Sequence, residues 1–142
     1  MNDEPLPVFT CAVVVAPDGR ILCQLRDDKP GIISPGCWSP TPGGHVEADE
    51  HPRDAIVREL LEEFEARVTN LRELITITEI EEEIRGVYHA FSADLDMPIT
   101  DVRCHEGQQV DFFYPEEAMK LRQHPVGLKI LIEFLSQGNR IW

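Results

Sequence analysis

The stretch that decides the fold is GHVEADEHPRDAIVRELLEEFEA, Gly44 to Ala66, entered directly from Gly43. Ile56, Leu60 and Phe64 recur every four residues, with Val57 and Leu61 beside them. That is an apolar stripe at helical period, and it predicts an amphipathic helix over 52–65 anchored to a core. Pro52 suits the first turn, where its missing N–H is not needed. His51 then falls near the N-cap, which imidazole does not favour. Asp49 and Glu50 place negative charge at the positive end of the helix dipole. The polar side gathers Glu59, Glu62 and Glu63, whose three- and four-residue spacings make them neighbours. Like charges so placed repel, and a hard divalent cation reverses the sign of that interaction. The cluster therefore asks for Mg²⁺ or Mn²⁺, and a metal beside a glycine pair points to phosphate chemistry. The alternative is a plain solvated acidic face, which is the reading for Glu81, Glu82 and Glu83.

The pattern resembles the Nudix hydrolase family. Its box runs Gly, five residues, Glu, seven residues, Arg-Glu, an aliphatic, any residue, Glu-Glu, any residue, Gly, an aliphatic. Here Gly44 is followed by Glu50, then Arg58-Glu59-Leu60, Leu61 and Glu62-Glu63, so the box covers 23 of 142 residues. Glu65 stands where the family has its second glycine, and Ala66 where an aliphatic follows. That glycine normally ends the helix in a left-handed conformation, so the position of the helix end is left open. Upstream, Trp38 and Pro42-Gly43-Gly44 are separated by one residue more than the usual spacing, which predicts a bulge or shift in the strand entering the box.

The resemblance implies an α/β (α+β) fold, an α/β/α sandwich with a mixed sheet. It implies metal-dependent hydrolysis of a diphosphate linkage in a nucleoside diphosphate joined to another moiety X. Glu59, Glu62 and Glu63 would hold the metal, and the Gly43 carbonyl could add a ligand. Arg58 would pair with a glutamate such as Glu50 and orient the ligands; a simple salt bridge to Glu62 is the other reading, and both can hold together. For the general base, family members use either a box glutamate, here Glu59 or Glu62, or an acid from a later loop. Glu106, in Cys104-His105-Glu106-Gly107, resembles the latter, against the reading of an ordinary exposed loop residue. His105 is a weaker candidate.

Substrate contacts are less visible. Arg26 and Lys29 are candidates for the phosphate chain, since guanidinium binds phosphate bidentately. Gly44 and His45 are further substrate-binding candidates, with His45 pointing either at the phosphates or at solvent. Phe9, Trp38, Phe112 and Tyr114 either stack on a base or fill the core. The stretch 74–88 lacks the proline that hints at ADP-ribose, and Tyr88 lies too far on to hint at dinucleoside polyphosphates. Two other classes remain: a catalytically silent, nucleotide-binding or regulatory module, and an acidic interaction domain, which lacks the oxygen-ligand loop of an EF-hand.

A chain of 142 residues fits one domain, here 1–142. A net charge of −13 and a pI near 4.7 argue against nucleic-acid polymers and anionic membranes as partners. The expected partner is a small nucleotide-type molecule, with a homodimer left open. No apolar run approaches a membrane span, and residues 1–7 lack a signal pattern, so a cytoplasmic location with reduced cysteines is expected. Cys11, Cys23, Cys37 and Cys104 have no CxxC spacing. Strands are predicted at 8–16, 21–25, 41–46, 68–80, 84–93 and 109–114, helices at 115–121 and 127–135, and loops at 26–40 and 94–107.

Overall fold

The β-branched run Val8–Val15 forms strand β1, and its pleat divides the interior in two. Side chains alternate across a strand. Cys11, Val13 and Val15 enter one core with Val126, Ile130 and Phe134, while Ala12 and Val14 enter the other with Ile56, Leu60 and Phe64. The first partner set belongs to the C-terminal helix α3 (Pro125–Ser136) and the second to α1 (Pro52–Phe64). One helix therefore lies on each face, as an α/β/α sandwich requires. This computed structural model describes residues 4–32 and 34–138. Positions 1–3 of the segment read for a signal, and position 33 of the loop predicted at 26–40, lie outside them.

The other elements are β2 (Ile21–Leu25), β3 (Trp38–Ser39), β4 (Gly43–His45), β5 (Val68–Glu79), β6 (Gly86–Leu95), β7 (Gln109–Phe113) and the short α2 (Pro115–Ala118). The sheet runs β3-β2-β1-β6-β5, with β4 also on β1 and β7 also on β2. Among the described strand pairs β1 and β6 run parallel, from Val8↔Val87 to Val15↔Asp94, and the others antiparallel, so the sheet is mixed. Along its other edge β1 changes partner. Val15 pairs with Ile21 of β2, whereas Phe9, Thr10 and Cys11 pair with His45, Gly44 and Gly43 of β4. The sheet parts between these pairings, and a cavity is lined by Phe9, Thr10 and Cys11 of β1 together with Gly43, Gly44 and His45 of β4.

Several expectations need correction. The pairing of β4 runs in register, with no bulge. In the turn before it the Thr41 N–H donates to the Ser39 hydroxyl at 3.4 Å. Irregularities fall in β5 instead, between Thr69 and Arg72 and between Glu73 and Ile75. Strand β3 lies in the predicted loop, β6 runs on to Leu95, α2 stops at Ala118, and α3 starts at Pro125. Helix α1 ends at Phe64, and Glu65 takes the left-handed cap conformation, φ 53°, its N–H reaching the Leu60 and Leu61 carbonyls. The turn is thus made without the glycine that usually makes it. All four cysteines are free. Among the described residues no helix is long and apolar enough to cross a membrane.

Candidate active site

Helix α1 is fixed at both ends. At its start the His51 imidazole accepts the Arg53 N–H at Nδ1, 3.1 Å, and the Thr10 hydroxyl donates to the Pro52 carbonyl at 2.9 Å. At its end the carbonyls of Glu63 and Phe64, which have no partners within the helix, accept the N–H groups of His105 (2.8 Å) and Arg103 (2.9 Å). Glu65 adds a 2.6 Å contact from Oε2 to the His105 imidazole. The 102–108 loop is thereby tied to the helix end, which brings Glu106 beside Glu63.

Arg58 organises the charged face. Its Nε and Nη2 donate to the two oxygens of Glu50 at 2.8 and 2.9 Å, and its Nη1 donates to Glu59 at 3.1 Å and Glu62 at 3.2 Å. Both ion pairs expected of Arg58, to Glu50 and to Glu62, are present. The guanidinium beside it, then the Glu47 N–H, keep the Glu50 carboxyl down at about 2. Bidentate charge-assisted pairs of this kind fix orientation as well as charge.

Glu59 and Glu63 are each only 9% exposed. A Cβ on Gly44 would come within 2.6 Å of the Glu59 carboxylate carbon, so glycine is what lets that carboxylate lie against the strand. Glu63 has a buried Oε2 that meets no donor, and the groups within hydrogen-bonding reach of its carboxyl are two other carboxyls, Glu59 and Glu106. Burial, followed by contact with the Glu59 and Glu106 carboxyls, pushes its acid up to about 10. Its protonated form is favoured there, because burial strips the carboxylate of water and two further carboxyls stand beside it.

These groups form one end of a cavity of about 590 Å³. Glu59, Glu63, Glu106, Gly43 and Gly44 line that end, and His45 and Arg26 also reach the wall. From the α3 side come Tyr88, His124, Val126 and Ile130. Burial, then the positive charge of Arg26, pushes His124 down to about 4. Among the described residues no three His, Cys, Asp or Glu side chains are already arranged to hold a metal ion.

The NUDIX domain profile matches residues 5–134. The chain belongs to the Nudix hydrolase family. As such it is a hydrolase acting on phosphoric anhydride bonds. It is similar to the CTP pyrophosphohydrolase of Escherichia coli (strain K12), 32% identical over 126 residues, 88% of this chain and 89% of that one. A shorter match, 44% identical over 56 residues, links 37% of the chain to an RNA pyrophosphohydrolase of Gluconacetobacter diazotrophicus and spans only 33% of that protein. The fold is that of a mutT/nudix family protein from Listeria innocua, at TM-score 0.78, 19% identity and 96% coverage of both chains.

Against the Nudix box, the chain keeps Glu59 and Glu63 in the cavity and Glu62 outside it. The Glu62 side chain is 60% exposed and lies on the flank held by Arg58. Lys29 pairs with Asp27 at 3.8 Å and does not line the cavity. Of the four aromatics singled out, only Phe9 reaches the wall, stacked on Tyr88 at 4.8 Å. Trp38 packs edge-on against Phe113 at 5.2 Å, Phe112 packs against the α1-side core, and Tyr114 caps α2. The sequence reading missed Gln24, Thr41, Tyr88 and His124 as wall residues. His124 carried one readable signal: it precedes a proline as His51 does.

Proposed function

We propose that this Nudix hydrolase cleaves a diphosphate linkage in a small nucleoside diphosphate derivative, with Mg²⁺ or Mn²⁺ as cofactor. The observation that carries the reading is the buried, unpartnered Glu63 Oε2, set between Glu59 and Glu106 at the cavity wall. A buried acid in that state loses its proton readily only to a cation that takes the proton's place. Mg²⁺ is usually held by one or two carboxylates, with waters and substrate phosphates completing its shell, so a ready-made cage is not expected. Glu63 and Glu59 would hold the ion, with the Gly43 carbonyl as a further ligand; Glu62, outside the cavity on the Arg58 flank, would have to turn from that pair to join them. When bound, the ion supplies neutralisation of the diphosphate oxygens and acidification of a water.

The protein's own groups do the rest. Arg58 holds Glu50, Glu59 and Glu62 in fixed orientation. Glu106, on a loop anchored to the end of α1, takes the proton of the attacking water. Gly44 leaves room for Glu59 and His45 meets the phosphate chain, while Arg26, whose charge is felt at His124 and Tyr88, meets the part of the nucleotide that lies nearer those rings. The net charge of −13 favours a small nucleotide over a nucleic-acid polymer. The similarity to a CTP pyrophosphohydrolase puts nucleoside triphosphates first among substrates to try. The silent-module alternative drew its weight from the missing box glycine, and Glu65 makes the same left-handed turn.

The test is product release from a panel of nucleoside triphosphates, nucleotide sugars and ADP-ribose, with Mg²⁺, Mn²⁺ or chelator. Turnover on some panel member with metal, abolished by chelator, is expected. A panel that stays silent with both metals leaves the binding-module reading in its place.

A further inference from the structure

Two helices of this protein begin His-Pro, and both imidazoles cap their helix in the same way. His51 Nδ1 accepts the Arg53 N–H and His124 Nδ1 accepts the Val126 N–H, each at 3.1 Å. A ring nitrogen that accepts carries no proton, so in the neutral ring the proton is on Nε2. The cap therefore fixes the tautomer and leaves one N–H donor over. For His51 that donor belongs to an exposed ring. For His124 it belongs to a ring only 8% exposed that forms part of the cavity wall. The Nδ1 contact is the one side-chain hydrogen bond this ring makes among the described residues.

The neighbours narrow what would meet this N–H. Phe9, Tyr88, Val126 and Ile130 make that part of the wall apolar. The Tyr88 hydroxyl is spent on the Ile84 carbonyl at 2.7 Å, which leaves its ring rather than its oxygen for a ligand. Arg26 brings positive charge to the same region. A flat, apolar-faced ring bearing an acceptor atom fits there; an ammonium or a bare donor does not. The carboxylates occupy the other end, so a phosphate chain held there would leave the base as the part of a nucleotide that reaches His124.

We propose that His124 is a specificity-determining residue, whose Nε2–H donates to a carbonyl oxygen or ring nitrogen on the base of a nucleotide substrate. This rests on the nucleotide reading above and adds the group that distinguishes a nucleotide from a bare polyphosphate. Burial keeps the ring neutral, so it reads an acceptor without adding charge.

His124→Asn tests it. Asparagine is a favoured N-cap and can keep the bond to the Val126 N–H, but it lacks the second ring nitrogen. His51→Asn makes the same cap exchange away from the cavity. Each protein is assayed on the four common ribonucleoside triphosphates and on inorganic tripolyphosphate. The expected result is a KM roughly tenfold higher for His124→Asn on the best nucleotide, the scale of one lost hydrogen bond. Its kcat, its activity on tripolyphosphate and every value for His51→Asn should stay unchanged. An unchanged KM on every nucleotide, or equal losses on nucleotide and tripolyphosphate, would overturn the proposal. If the panel shows no hydrolysis at all, the ring ¹⁵N resonance of His124 still decides. With Mg²⁺ present and nothing hydrolysed, the same triphosphates should shift Nε2 and tripolyphosphate should not; an unmoved resonance sinks the idea.

Discussion

The two ends of the cavity bury a titratable group each, and burial is the first cause of both shifts: Glu63 is pushed up to about 10 and His124 down to about 4. Both are neutral at pH 7, yet they stand differently toward a ligand. His124 has a hydrogen-bonded nitrogen and a neighbouring positive charge, and its neutral state is complete. Glu63 faces two carboxyls of its own sign and leaves an oxygen unpartnered, so its neutral state is only a substitute for a cation. Desolvation thus prepares one end for charge and the other against it. What decides is the sign of the neighbours.

Glu63→Gln should break the acidic end most completely. The amide imitates the protonated acid but cannot ionise to take a metal. Turnover should fall by about two orders of magnitude or more, at least what disturbing a metal's supporting groups costs. Stability should separate this from misfolding. In the metal-free wild type, the folded acid keeps its proton to about 10 while the unfolded one loses it near 4.5. The folded state then binds more protons, and stability falls as pH rises between those values. Melting scans in chelator should show that decline for the wild type and a flatter line for Glu63→Gln. Added Mg²⁺ should raise the wild-type midpoint, more at higher pH because the proton competes, and raise the variant's little. A variant that keeps near-full turnover would remove Glu63 from the chemistry.

The imidazole end should fail in the opposite direction. His124 is neutral in the fold down to about 4, while an unfolded histidine protonates near 6.5. Between those values the unfolded state binds more protons. Its contribution is complete above 6.5 and is lost as pH falls toward 4, by up to about 3 kcal/mol. His124→Asn should flatten that acid limb of a pH series of denaturant melts. The same slope in wild type and variant would mean that other groups set the acid sensitivity.

These two ends were not equally legible. The acidic end is local: a stripe at Ile56, Leu60 and Phe64 and carboxylates three and four apart on one helix can be read from neighbours in sequence. The sandwich followed too, because β1 and the strands after α1 carry plain β patterns. The other end assembles residues from β6 and α3 through the parallel β1–β6 pairing, a contact about eighty residues apart that no local period announces. Lys29 and Trp38 looked suitable by type, but an ion pair and an edge-on ring contact hold them elsewhere. The end of α1 was obscure for a different reason. A glutamate gives no left-handed signal, and it takes that conformation here while the 102–108 loop is bonded to the last turn.

That loop offers the finest test of how the acidic end is built. Glu65→Gly restores the usual box residue at φ 53°. A non-glycine residue in the left-handed region costs about 1 kcal/mol, which the change would recover. It would also remove the contact to His105, whose partners are 59% and 52% exposed, and an exposed pair of this kind contributes about 0–1 kcal/mol. The net should be a gain of about 1 kcal/mol or less, read as a midpoint a few degrees higher at most. The main-chain bonds from His105 and Arg103 to the Glu63 and Phe64 carbonyls do not involve the Glu65 side chain. If they place Glu106, then kcat/KM should stay within about twofold of wild type. A larger loss with an unchanged or higher midpoint would show that the Glu65–His105 contact holds the loop in register. The acidic end would then owe its geometry to the one residue that departs from the box.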